Sequence, residues 1–151
     1  MCGISECKMS EYGTFEATSE EEMVAVGRAI ARFVCDPIII CLEGELGAGK
    51  TTIAKGLISE LTSLAPQEIT SPTFQYVHLY ETDRFEIAHF DLWRVRDLTE
   101  FLSLGLDEHI VNTLSLIEWP DRIGTWLPKD VLSIGIQSHD QGRTISLTQG
   151  S

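Results

Sequence analysis

Residues 44–51 read Gly-Glu-Leu-Gly-Ala-Gly-Lys-Thr and satisfy the pattern G-x-x-x-x-G-K-[ST]. A loop of this type holds nucleotide phosphates. Gly44, Gly47 and Gly49 permit positive φ and let the backbone approach a ligand closely. The freed N–H groups then face anionic oxygens at the positive end of the following helix. Lys50 adds a point charge for the terminal phosphates, and the Thr51 hydroxyl can ligate Mg²⁺.

Phosphate chemistry also needs a carboxylate for the metal and a group that positions or activates the nucleophile. In open α/β sheets such acids stand at the carboxyl ends of central strands. Asp91 and Glu118 both close apolar, β-rich runs and fit that position. Each has a plainer reading, Asp91 as a turn cap and Glu118 as a rim carboxylate. The loop Thr70-Ser71-Pro72-Thr73 follows Lys50 by about twenty residues. Switch loops that reach a γ-phosphate sit at such a distance, and an ordinary Ser-Pro turn is the alternative. Trp119 either stacks on a base or partner or fills a gap. His78 and His89 lie in alternating strands without metal-ligand spacing and read as core or surface residues.

The elements that must position these groups are visible in the pattern. Residues 12–17 suggest a short strand, after which Thr18 or Ser19 caps a helix. Ser19 and Glu22 have capping-box spacing, and Met23, Val26, Ile30 and Phe33/Val34 form the apolar stripe of that helix. The unbroken apolar run 37–42 reads as a buried parallel strand before the glycine loop. Residues 52–61 form a helix with Ile53, Leu57, Ile58 and Leu61 on one face, broken at 65–68. Strands are predicted at 75–80 and 85–90 around a turn, then short helices at 97–104 and 106–111. A strand at 114–117 and two more at 131–136 and 143–147 complete the chain. The fold class is α/β: a three-layer, phosphate-loop NTPase-like fold. Its mixed sheet is parallel at the centre with an antiparallel edge hairpin, and helices cover both faces. Residues 1–11 read as a disordered tail and 12–151 as one domain.

Composition narrows the function further. The 151 residues carry 23 acidic and 11 basic side chains, a net charge of -12. That argues against autonomous nucleic-acid binding, which draws its affinity from cations on phosphates. A role beside a nucleic acid, through a basic partner, stays open. Glu20, Glu21 and Glu22 open a helix, where acids suit the dipole. Among Cys2, Cys7, Cys35 and Cys41 no pair has C-x-x-C spacing, and Cys41 reads as a small core residue. No segment resembles a signal peptide or a membrane span, so the expected location is the cytoplasm.

Four segments occur in a specific order: Gly44 to Thr52, Ser71-Pro72-Thr73-Phe74, His89-Phe90-Asp91-Leu92-Trp93-Arg94, and Ile117-Glu118-Trp119-Pro120. Together they resemble the bacterial TsaE (YjeE) family, the small ATPase of tRNA threonylcarbamoyladenosine biosynthesis. The resemblance spans roughly residues 15–148. It implies an ATP- and Mg²⁺-dependent accessory subunit that binds a TsaB–TsaD pair and drives its turnover. That pair modifies the adenosine beside the anticodon of ANN-decoding tRNAs, so contact with tRNA is indirect. It implies that Leu46, Gly47, Ala48, Gly49, Lys50, Thr51 and Thr52 wrap the ATP phosphates, and that Thr51 and Glu118 hold Mg²⁺. Asp91 would be required for hydrolysis, through metal-bound water or as base. Thr73 would belong to the switch loop, Trp119 would flank the site and sense nucleotide, and Thr18 would touch the adenine side. Trp93 stands where the family usually has Tyr, and Glu45 where it usually has Asp. Two other readings remain, a small-molecule phosphate-loop kinase and a nucleotide-gated binding module. A kinase needs a cationic lid, for which Arg94, Arg96 and Arg122 are the available residues.

Overall fold

The structure, a computed structural model, describes residues 13–150. The expected tail at 1–11, with Cys2 and Cys7, lies outside the described residues. The chain runs β1 (Thr14–Ala17), α1 (Glu20–Ala31), β2 (Ile39–Gly44), α2 (Lys50–Thr62), β3 (Val77–Glu81), β4 (Glu86–Asp91), α3 (Leu98–Ser103), β5 (Thr113–Glu118), β6 (Leu132–His139) and β7 (Gly142–Gln149). Short 3₁₀ turns occur at Pro66–Glu68, Leu106–His109 and Pro120–Ile123.

The strands form one seven-stranded sheet in the order β1-β7-β6-β2-β5-β4-β3. The apolar strand β2 sits at its centre, parallel to β5 and β6, and β4 is parallel to β5. The expected mixed sheet is present, with antiparallel pairing on both flanks: β3 on β4, and β6-β7-β1. Alternation along the strands divides the core in two. Ile40, Leu42, Ile87, Leu114 and Leu116 face one side, where Met23, Val26 and Ile30 of α1 and Ile53, Leu57 and Ile58 of α2 cover them. Ala88, Phe90 and Ile117 face the other side, under Phe101 of α3 and the residues Leu106 and Ile123 of the 3₁₀ turns. Cys41 is buried, and desolvation, with Glu43 adding to it, pushes its thiol up to about 12. That thiol is inert core, as its place in β2 suggests.

Helices α1 and α2 approach through glycines. A Cβ on Gly56 would overlap the Val24 carbonyl, and one on Gly27 would overlap the Ile53 carbonyl. Neither neighbour is a flexible side-chain tip, so relief requires the helices to separate. Gly56→Ala is therefore expected to lower unfolding stability by about 1–3 kcal/mol, typical of overpacking, as measured by denaturant titration.

Local departures from the sequence pattern have identifiable causes. Helix α2 starts at Lys50 rather than at 52, because Gly49 at its N-cap takes φ 111°. That places Lys50 and Thr51 in the first turn. Ser19 is the cap of α1 and accepts from the Glu22 N–H at 3.1 Å. The returning half of the capping box goes elsewhere: the Glu22 carboxylate accepts from the Thr18 N–H (2.6 Å) and hydroxyl (2.9 Å). These bonds, the backbone one first, hold the Glu22 carboxyl below its ordinary pKa. Strand β3 starts at Val77 because Tyr76 is left-handed, with φ 70°. The helix expected at 106–111 is a 3₁₀ turn, Leu106–His109. There the Thr113 hydroxyl takes the His109 carbonyl at 2.7 Å and Asn112 turns with φ 63°, which diverts the chain into β5.

Candidate functional site

Three parallel strands, β2, β4 and β5, end at the same edge of the sheet and deliver Gly44, Asp91 and Glu118 there. Asp91 and Glu118 are paired in register across β4 and β5, so both carboxylates project from the same face. The first turn of α2 faces them. The Thr51 hydroxyl reaches both oxygens of Glu118, at 2.9 and 3.0 Å. A cleft of about 400 Å³ opens between these elements, within the range of small-molecule sites. Its walls contain Leu46, Gly47, Gly49, Lys50, Thr51, Thr52, Thr73, Asp91, Glu118 and Trp119.

Lys50 is only 5 % exposed. Its ammonium donates to the carbonyls of Gly44 (2.6 Å) and Glu45 (3.1 Å) and lies 3.7 Å from the centroid of the Trp119 ring. Desolvation pulls its pKa below the ordinary lysine value, against the opposing pull of Glu118, Asp91 and Asp121. A charge on a flexible stem, held by weak acceptors beside a cleft, is ready to move onto a stronger anionic acceptor.

Asp91 is 6 % exposed and bonded on both oxygens. Oδ2 accepts from the Thr73 hydroxyl (3.0 Å) and the Ser71 hydroxyl (3.4 Å), and Oδ1 accepts from the Trp93 N–H (3.0 Å). Thr73 and Ser71 share a further hydroxyl contact at 2.8 Å. The loop after the 3₁₀ turn Pro66–Glu68 is thus tied to the end of β4 through its hydroxyls.

Glu118 is 2 % exposed. Beyond Thr51, its Oε2 lies 2.7 Å from His89 Nε2, and His89 is fully buried. The oxygens of Thr51 and Glu118 are hard donors of the kind that suits Mg²⁺. Among the described residues no group of three or more His, Cys, Asp or Glu could hold a metal ion by itself. Mg²⁺ sites on substrate phosphates commonly use one or two carboxylates, so the pair fits such an ion.

Trp119 adopts φ 63° directly before Pro120. Left-handed backbone at a bulky residue costs on the order of 1–3 kcal/mol and is found where surrounding structure imposes it. The turn presses the indole against Lys50 and against Trp93, whose ring centroid is 4.5 Å away. Arg122 continues the stack, 5.4 Å above the Trp93 ring.

Three residues of the expected set stand apart. Thr18 and Ala48 line a second cleft of about 410 Å³, which shares Gly47, Gly49 and Thr52 with the first and adds Arg143. The Thr18 hydroxyl is engaged with Glu22, and the Ala48 carbonyl accepts from Arg143 Nε at 3.0 Å. Gly44 lines neither cleft and contributes its carbonyl to Lys50. Arg143 is not singled out by the sequence pattern; Ser71 enters it only as part of the switch loop and His89 only as a core or surface residue. His89 precedes Asp91 by two in a strand and therefore shares its face.

The sequence profile described as "Threonylcarbamoyl adenosine biosynthesis protein TsaE" matches residues 17–145. A protein of Rickettsia bellii named tRNA threonylcarbamoyladenosine biosynthesis protein TsaE is 33% identical over 127 residues, 84% of this chain and 88% of that protein. The protein of the same name from Aquifex aeolicus is 39% identical over 106 residues, 69% of this chain and 74% of its own length. Among solved structures, Bacillus subtilis YdiB superposes with a TM-score of 0.71 at 31% identity, covering 91% of this chain and 85% of that one.

Proposed function

Because the chain belongs to the TsaE family of threonylcarbamoyl adenosine biosynthesis proteins, we propose that it is the ATP-binding and ATP-hydrolysing accessory subunit of the tRNA-modifying machinery. It works in the cytoplasm by binding a TsaB–TsaD pair and driving its turnover, and it meets tRNA only through that pair. The observation that supports this reading best is the meeting of Lys50, Thr51, Asp91 and Glu118 in one cleft at the carboxyl ends of parallel strands.

In this reading the Gly47 to Thr52 backbone cradles the ATP phosphates and Lys50 leaves the Gly44 and Glu45 carbonyls for them. The Thr51 proton is directed at Glu118, which leaves its oxygen lone pairs free for Mg²⁺. Mg²⁺, when bound, neutralises charge on the transferring phosphate. Asp91, held by Thr73 and the Trp93 N–H, orients the attacking water and accepts its proton. The alternative kinase reading needs free cations over the cleft. Here Arg94 packs on Phe74 at 5.0 Å, Arg96 pairs with Glu100 at 3.4 Å, and Arg122 lies on Trp93.

With a net charge of -12, the protein is expected to favour a basic partner surface and to repel tRNA. The deciding experiment is ATP turnover of the purified chain with and without a TsaB–TsaD pair. The expected result is weak turnover alone, faster turnover with the pair, and co-elution. Equal rates without co-elution would overturn the reading. Nucleotide should also be visible optically. Drawing Lys50 off the Trp119 ring changes the field on that indole, so ATP should shift tryptophan emission. Trp119→Phe should remove most of that shift although Trp93 and Trp126 remain.

A further inference from the structure

We propose that His89 is a positioning residue that fixes the rotamer of Glu118, and so decides which carboxylate oxygen is left for a bound Mg²⁺. The proposal rests on the Mg²⁺·ATP reading of the cleft. His89 is fully buried in β4, two residues before Asp91, and its Nε2 is 2.7 Å from Glu118 Oε2. An ionised carboxylate has acceptors only, so Nε2 must carry the proton and donate it. The contact is short enough for a charge-assisted bond.

Glu118 without His89 would have only Thr51 as a side-chain partner, at nearly equal distance from both of its oxygens. That hydroxyl cannot tell the two oxygens apart. The imidazole can, because it reaches Oε2 alone. It holds Oε2 toward β4, so Oε1 is the oxygen that the imidazole leaves free, while Thr51 stays within reach of both. The other ring nitrogen, Nδ1, is buried with no hydrogen-bond partner among the described residues. Its burial makes sense if the bond to Glu118 is what the site requires. Partners of metal-site ligands commonly change metal affinity by about 10–100-fold when removed.

The test compares two amides of different reach. The amide nitrogen of Gln stands as many bonds from Cβ as Nε2 does, whereas that of Asn falls at the level of Nδ1. Calorimetry would measure ATP binding in EDTA and across an Mg²⁺ series for the parent, His89→Gln and His89→Asn. His89→Asn is expected to raise the half-saturating Mg²⁺ concentration about tenfold or more, with ATP binding in EDTA unchanged. His89→Gln should stay near the parent. Equal midpoints for both variants and the parent would overturn the proposal. So would an equal loss of ATP binding in EDTA for both variants, which marks a packing role. A measurement on the unaltered chain stands beside these. Nitrogen NMR of the imidazole should show a proton on Nε2, with its signal moving when Mg²⁺·ATP is added. Protonation at Nδ1 instead would also overturn the proposal. A parent chain that binds no Mg²⁺·ATP would refute the site reading itself, whereas a parent that does and variants that match it would refute only the role of His89.

Discussion

Asp91→Ala is expected to lower ATP turnover by roughly 10²- to 10⁴-fold, the usual contribution of a positioned acid–base group, while ATP binds nearly as well as before. The two effects separate because of where the carboxylate is anchored. Asp91 is bonded to Thr73, Ser71 and the Trp93 N–H, and to no residue of the phosphate loop. Lys50 and the α2 first turn therefore keep their positions when it is removed. What is lost is the acceptor for a water proton, together with the side-chain bonds that hold Ser71 and Thr73 against the end of β4. Asp91→Asn distinguishes the two. The amide retains an oxygen for the Trp93 N–H and packs equally, so thermal stability should hold, yet it cannot accept a proton. Turnover of Asp91→Asn in the presence of the partner pair should fall as far as that of Asp91→Ala. Phosphate release at the parent rate in either variant would show that the assignment of Asp91 is wrong.

The parts of this site that were legible in the sequence are those written in local chemistry. Of the three glycines expected to take positive φ in the octet at 44–51, Gly47 and Gly49 do, at 82° and 111°. Gly44 does not, and is needed instead because a Cβ there would meet the Ile136 carbonyl oxygen at 2.8 Å. Asp91 and Glu118 each close an apolar run, and such acids rarely stand there without a partner. Their mutual register was not legible, because it depends on β4 and β5 becoming neighbours although α3 and a 3₁₀ turn separate them in the chain. The same non-local pairing hid His89. Its own strand pattern reads as core, which is correct, and its partner arrives from another strand 29 residues on. Trp119 was ambiguous for a different reason. Residues before proline avoid the α region, so no local rule announces a left-handed Trp. The packing of Lys50 and Trp93 on the indole holds it there. The capping box failed by one residue because Thr18 offers Glu22 both an N–H and a hydroxyl.

Lys50→Met is expected to weaken ATP binding by about 1.5–3 kcal/mol, the cost of a lost charge-assisted hydrogen bond, which is roughly 10- to 150-fold in the dissociation constant. The same substitution should raise the melting temperature of the unliganded chain. The reasoning starts from burial. Desolvation lowers the Lys50 pKa even though Glu118, Asp91 and Asp121 pull the other way, so the folded chain favours the charged ammonium less than water does. Met keeps the apolar stem on Trp119 and removes the charge. The pH dependence follows with a definite sign. The folded pKa lies below the ordinary 10.5, so between those two values the unfolded chain binds this proton and the folded chain does not. Stability contributed by this residue therefore rises with pH across that alkaline window, and it is lost as pH falls through the folded value. The Lys50→Met chain should lack this rise, which chemical denaturation of the two proteins over the alkaline range up to about 10.5 would show. A lower melting temperature for Lys50→Met, with the alkaline rise intact, would mean that the carbonyls and the indole hold the ammonium for stability. The cation would then belong to the fold. An unchanged or higher melting temperature with lost nucleotide affinity would identify a charge kept in an unfavourable place for its ligand.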